Sequence, residues 1–356
     1  MNLLDVSTQH SEAIVCCSAP NTDNIIASGC EGGLVCFSSF GSHECIGSID
    51  FGSSNVCTSV QCSEKDAWSF FCSVGSHIHC IDIRKGLEPS CICNTFQCGD
   101  DEINSISLSS SEKWLAAGDD EGEVHCFNLT DMGDSVQKRP DRILRRGHQN
   151  ICSSVIFSKI DENQILSGGL DCLMIRWNVQ KLKTSKIWTM PNITTSGQRA
   201  LNPPMVHNID TCLQEDGKKE IVAVARGDGS VAMYDALAKS QTVPRSKKQP
   251  ARNQLANPDS LVWMAFPEDK CHTSACNAVR FTSHGAKRLL LSAGNDAYLK
   301  LWDWNEDTAL VSQVSNGAKI NCIAGLHSQQ GPHDLGIIGD VKGNLRIVTA
   351  LDQNSG

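Results

Sequence analysis

An acidic residue followed six positions later by an aromatic recurs along the chain, and this spacing constrains the fold more than any other feature. Asp171 precedes Trp177, Asp228 precedes Tyr234 and Asp296 precedes Trp302, while Glu31 with Phe37 and Glu121 with Phe127 keep the same interval. Around each pair one unit repeats: an apolar run, a turn, a short apolar strand ending in a small residue, an acidic or glycine turn, then an alternating strand. The clearest copies are 147–179 (GHQNICSSVIFSKIDENQILSGGLDCLMIRWNV) and 272–304, which closes with LLLSAGNDAYLKLWDW. Two weaker copies, containing FFCSVGSHIHCIDIR and LGIIGDVKGNLRIVTAL, fit the frame without the acid–aromatic pair. Seven units result, placed approximately at 10–40, 55–86, 101–131, 147–180, 205–236, 272–305 and 319–351.

The residues of each unit specify strands. Val124–Phe127 and Val231–Tyr234 are rich in β-branched and aromatic types, and Leu299–Trp302 alternates apolar and polar at period two. The turns Glu31-Gly32-Gly33, Glu121-Gly122-Glu123 and Gly227-Asp228-Gly229 supply the positive-φ positions of tight hairpins. Many short, regularly spaced strands point to an all-β barrel, sandwich or propeller. The period sits near the roughly 40–45 residues of a four-stranded propeller blade, and the longer interval from Asp228 to Asp296 marks an insertion. One such sheet cannot bury both faces, whereas seven stacked radially do, and closure protects their edges. The expectation is one all-β domain over residues 1–356, a seven-bladed β-propeller.

Gly147-His148, Ser167, Asp171 and Trp177 resemble the WD-repeat pattern, and Trp302-Asp303 is the one literal Trp-Asp dipeptide. The resemblance to the WD-repeat family implies a WD40-type propeller serving as a protein-interaction scaffold. It also implies that His148, Ser167, Asp171 and Trp177 form a hydrogen-bonded blade network, with Asp228, Asp296 and Trp302 in equivalent slots of other blades. A His/Ser/Asp set superficially matches a catalytic one. Yet the turn acid recurs from unit to unit, and the strained G-x-S-x-G elbow that presents a serine nucleophile is absent. So are a phosphate loop, H-E-x-x-H and a dinucleotide fingerprint. No enzymatic activity and no cofactor are expected.

The 19 cysteines invite a disulfide or zinc reading, but their placement favours buried thiols. Cys16, Cys36, Cys80, Cys126, Cys152 and Cys322 fall inside strand-like runs, where a reduced cysteine acts as a small hydrophobe. Cys91 and Cys93 form a C-x-C with no second half, short of the four ligands of a structural zinc site. A formal charge of −9, with no basic stripe interleaved with aromatics, argues against nucleic-acid partners. No run of 18 apolar residues exists and the start of the chain is polar. Membrane association is therefore not expected, and the cytosol or nucleus is the expected compartment.

One motif has a docking chemistry. Ile81-Asp82-Ile83-Arg84 closes a strand of the second unit with Asp-x-Arg. Among WD-repeat proteins such an ending resembles the box that docks on the damaged-DNA-binding adaptor of cullin-4 ubiquitin ligases. The resemblance implies that Asp82 and Arg84 are adaptor-docking residues and that a separate target protein is bound elsewhere. The guanidinium is a planar, permanently charged fork suited to that role. Ile81 stands where the box usually has Trp. The alternative keeps Asp82 as a turn cap and Arg84 as an ordinary surface cation, within a general scaffold. Two segments fall outside the repeat frame: 183–204, and 238–258 with Arg245, Lys247, Lys248 and Arg252 among prolines, a solvated loop or a weak targeting patch. Trp114 is expected to fill core beside Leu115, while Trp188 and Trp263 border the irregular segments, where packing and a partner-anchoring role both fit.

Overall fold

Seven four-stranded antiparallel sheets stand around a central channel in the computed structural model. It describes residues 1–20, 25–130, 138–192, 194–195, 198–199, 202–214, 217–238, 260–265, 271–284, 287–304, 309–326 and 334–350. Blades one to six take their strands in chain order from residues 14–50, 57–97, 103–144, 152–189, 206–265 and 276–315. Blade seven combines Ile320–Gly325, Asp334–Asp340 and Leu345–Thr349 with the N-terminal strand Asn2–Val6. That strand pairs antiparallel from Asn2 opposite Thr349 to Val6 opposite Leu345, so the two ends of the chain close the ring in one sheet.

The fold is the seven-bladed propeller expected, but the repeat frame captures only the inner three strands of each blade. The fourth strands Cys45–Asp50, Ile92–Gln97, Arg142–Leu144, Leu261–Ala265 and Ala309–Ser315 lie in the spacers between the units. So does Lys183–Thr189, a fourth strand inside the segment 183–204 expected to be irregular. The reason is exposure. Lys183–Thr189 buries only Lys186 and Trp188, so its composition carries little apolar signal. The rest of that segment includes a two-stranded hairpin of Thr194–Thr195 with Gln198–Arg199. Most of 238–258, basic residues included, lies outside the described residues.

The core lies between neighbouring blades, as radial stacking demands. Phe37 of blade one meets Phe70 of blade two edge-on at 5.1 Å, and Phe96 of blade two meets Phe127 of blade three at 5.2 Å. The small residue ending each second strand makes room for the next blade's first strand. A Cβ on Gly168 would come within 2.3 Å of Val206 Cγ1, and one on Gly339 within 2.4 Å of Ile14 Cγ2. All 19 cysteines are free thiols, and the six named above are buried. Burial pushes the Cys36, Cys80 and Cys126 thiols up to about 12, keeping them protonated hydrophobes.

Every blade carries the same irregularity, a register shift beside the first residue of its first strand. The residue skipped by the shift is Val15, Thr58, Asn104, Ser153, His207, Asn277 or Asn321, and all seven line the channel. Such a bulge re-aims a side chain, and here it aims it at the next blade. Ser153 donates to the carbonyl of Val206 (2.5 Å), His207 Nδ1–H to that of Cys276 (3.1 Å), and Asn277 to that of Ile320 (2.8 Å). Asn321 donates to the carbonyl of Ile14 (2.9 Å), across the seam where ring closure occurs. Thr58 makes the equivalent bond to Ile103, and where Val15 has no donor the neighbouring Cys16 thiol reaches Cys57 O at 3.2 Å. Asn104 instead turns to Asp120, within its own blade. Asn321→Ala should therefore cost about 1–3 kcal/mol, a buried carbonyl having lost its donor. Asn104→Ala, which breaks no bond across a seam, should cost less. Urea unfolding of the two variants beside the parent measures the difference.

Candidate functional site

Strand direction divides the chemistry between two faces. Turns joining second to third strands share one face with the links between blades, and the remaining two kinds of turn share the other. The expected blade-network residues gather on the first. In blade four, His148 Nδ1–H donates to Asp171 (3.0 Å), Nε2 meets the Ser167 hydroxyl (2.7 Å), and Trp177 Nε1–H donates to the same oxygen (2.7 Å). Ser167 is fully buried beneath the indole, so the set works as a strut tying a blade link to a turn.

Blade six repeats this geometry with two residues that the sequence reading passed over. His272 reaches Asp296 at 2.9 Å and Ser292 at 2.8 Å, and Trp302 Nε1–H donates to Ser292 at 2.8 Å. Spacing was the available signal, since Ser292 precedes Trp302 by the same ten positions that separate Ser167 from Trp177. Asp228 of blade five behaves differently from Asp171 and Asp296. Its partner is the fully buried Arg226 (2.7 Å), which also donates to Pro191 O (2.6 Å), and the Tyr234 hydroxyl meets Met190 Sδ rather than a serine. Blade one retains a fragment, His10 Nε2 on Ser28 at 2.8 Å, and burial lowers that imidazole to about 4 and keeps it neutral.

Blade three brings Asp119, Glu123 and His125 together, with potential ligand atoms within 4.8 Å of one another. Their contacts are already internal. His125 Nε2 meets Asp119 at 2.6 Å, the Glu123 amide donates to the other Asp119 oxygen, and the Glu123 carboxylate pairs with Arg145 at 2.9 Å. The tryptophans outside the network are mostly structural. Trp188 is fully buried and donates to Ser260 (3.0 Å), Trp263 packs edge-on against Trp302 at 5.5 Å, and Arg142 lies over the half-buried Trp114. Trp68 is the exposed one, at 43%.

On the opposite face, Asp82 ends the third strand of blade two, and Ile83–Lys85 form one 3-10 turn. The Asp82 carboxylate caps that turn through the Arg84 amide and accepts from Arg84 Nε (2.8 Å) and Nη2 (3.0 Å). Nη2 also donates to Asp66 (2.7 Å) in the preceding loop. Among the described residues no acceptor takes Nη1, and the Arg84 side chain is 52% exposed. The arginine is thus held outward by two carboxylates, and its hydrogen bond to Asp82 holds that carboxyl below its usual value. Ile81 is fully buried and contributes packing only.

The family model for the WD domain, G-beta repeat matches residues 90–128 and 267–303. The first match begins just before the fourth strand of blade two and ends with the third strand of blade three, the same offset between repeat and blade that the sheets display. The chain is a WD-repeat β-propeller. It is similar to the WD repeat-containing protein 53 homolog of Dictyostelium discoideum, 25% identical over 334 residues that cover 88% of this chain and 82% of that protein. As a WD-repeat propeller, the chain is of a kind that is generally a non-catalytic platform for binding proteins. No helix among the described residues is long and apolar enough to cross a membrane.

In this WD-repeat propeller the network acids carry a pH signature. Burial raises the Asp171 and Asp296 carboxyls, but hydrogen bonds from His148 and His272 and from backbone amides outweigh it, and both sit below the ordinary value. A carboxyl depressed in the folded state adds stability above its unfolded value and loses it as pH falls through the folded one. Stability should therefore fall below about pH 4, with a shallower slope in Asp171→Asn/Asp296→Asn. Urea titrations at a series of pH values test this. Ser167→Ala should cost about 1–3 kcal/mol, because it strands the Trp177 N–H and the His148 nitrogen together.

Proposed function

We propose that this propeller is a substrate receptor, docking through Asp82 and Arg84 on the damaged-DNA-binding adaptor of a cullin-4 ubiquitin ligase while another surface holds a target protein. The observation that carries the reading is the posture of Arg84. A turn capped by its own motif aspartate fixes the guanidinium on an exposed rim with one edge open to an acceptor. A long cation fixed in advance loses less freedom on binding. The exposed Trp68 adjoins it, since its carbonyl accepts from Ile83 N and its amide donates to Asp66, and arginine beside an aromatic is a frequent energetic centre of interfaces. Such a receptor acts in the cytosol or nucleus, takes proteins rather than nucleic acid or lipid as partners, and needs no cofactor.

A second reading is favoured by the same geometry. Asp66 and Asp82 already answer the arginine's charge, which is what a purely local ion pair in a general scaffold of some other complex requires. Co-purification of the full chain with the adaptor separates the two. Arg84→Ala should reduce adaptor recovery and Arg84→Glu should abolish it, because a carboxylate there faces Asp66 and Asp82. Undiminished recovery with Arg84→Glu removes Arg84 as the anchor. A stable complex free of ligase subunits supports the general scaffold.

A further inference from the structure

A cavity of about 440 Å³ opens where the first strands of blades five and six end, flanked by blades four and seven. Three cations, Lys159, Arg280 and Arg288, and one acid, Asp210, line it. In a chain of formal charge −9 this is a local reversal of sign, and a concave wall concentrates the field of such a cluster. The acid is committed: Asp210 is nearly buried, and its carboxylate accepts the amide of Phe281 at 2.7 Å. Arg280 lines both this cavity and the central channel. It is braced from the channel side, Nη1 donating to Asn208 Oδ1 at 2.9 Å and to Val279 O at 3.0 Å. These acceptors are neutral, and among the described residues neither Arg280 nor Lys159 makes an ion pair with a carboxylate. Arg288 is anchored by the carbonyl of Leu213. Lys159 has an exposed side chain on a backbone pinned by Glu220, at 2.7 Å from its amide. The half-buried Ser283 adds a hydroxyl to the wall.

The Arg280 guanidinium, the Lys159 ammonium group and a hydroxyl around one space suit a compact, charged oxyanion. The volume exceeds what a bare ion needs and falls in the range of sites that take small organic molecules or side chains. We propose that this cavity binds a phosphate monoester, with Lys159 and Arg280 as its principal cations. The site lies on the same face as Arg84 but on other blades, and it does not depend on the docking reading.

Calorimetric titration of the full chain at low salt tests it with four probes: a phosphoserine peptide, its unphosphorylated parent, inorganic phosphate and a nucleoside monophosphate. Phosphorylated probes should bind and the parent peptide should not. Lys159→Met and Arg280→Gln should each weaken binding by about tenfold, the loss of one charge-assisted contact. If the peptide binds more tightly than the free phosphates, the phosphate arrives on a protein partner; the reverse order identifies a small metabolite. Should Arg280→Gln disturb the channel and fail to fold, Lys159→Met still decides, because its side chain is exposed. Absence of binding by every phosphorylated probe, or unchanged binding in Lys159→Met, overturns the proposal.

Discussion

The rest of the structure depends on closing a ring whose seams are polar at the channel and apolar farther out. A four-stranded sheet of this composition has two apolar faces and no means of burying them alone. Each blade must therefore find a neighbour on both sides, and the last must find the first. The strand Asn2–Val6 meets that demand by joining blade seven, and Asn321 adds a bond from blade seven to the carbonyl of Ile14 in blade one. Because the bulge residue of most blades makes the corresponding bond, the channel wall is a belt of side-chain-to-backbone links. A polar lining that would otherwise call for water is satisfied by the protein itself.

That belt frees individual blades to lose the His–Ser–Trp strut. Blades four and six keep it whole, blade one keeps the His10–Ser28 pair, and blade five exchanges it for a buried Arg226–Asp228 ion pair. Pro191 O and Asp228 both accept from Nη2 of this arginine and offset part of the cost of burying it, while its buried Nε keeps no hydrogen-bond partner. Blade two shows a different economy. With Ile81 and Phe70 fully buried it relies on apolar packing, and its polar residues Asp66, Asp82 and Arg84 are turned outward instead. Polar groups are retained where they tie a link to a turn, or where they face solvent.

How much of this was legible in the sequence follows from how strongly each element is patterned. The inner three strands are largely buried, so apolar, small and β-branched residues dominate them and the repeat stands out. The outer strands see solvent, and Lys183–Thr189 with its alternation of exposed and buried positions resembles a spacer until its pairing with Leu173–Asn178 is known. Asp171 and Asp296 were visible because a turn acid and an aromatic keep a fixed interval, yet the same interval misled at Asp228, whose partner Arg226 sits two residues away rather than in the preceding blade link. The bulge positions along the channel were invisible for another reason. Val, Thr, Asn, Ser and His share no chemical class, and only the register shift beside each of them reveals a common position.

The two faces then differ in what they can offer a partner. On the face of the acid turns, the groups with the most distinctive chemistry, His148, Asp171, His272 and Asp296, are consumed by internal hydrogen bonds, and an incoming molecule would have to break a strut to use them. On the opposite face, Arg84 and Arg280 are held by side-chain contacts that leave part of each group available, and Trp68 and Lys159 stand exposed on hydrogen-bonded backbone. Recognition needs groups that are both fixed and unsatisfied, since a fixed group costs little entropy to engage and an unsatisfied one gains a bond. By that criterion the turns joining first to second and third to fourth strands carry the groups best placed to meet a partner. The network turns opposite form the propeller's frame.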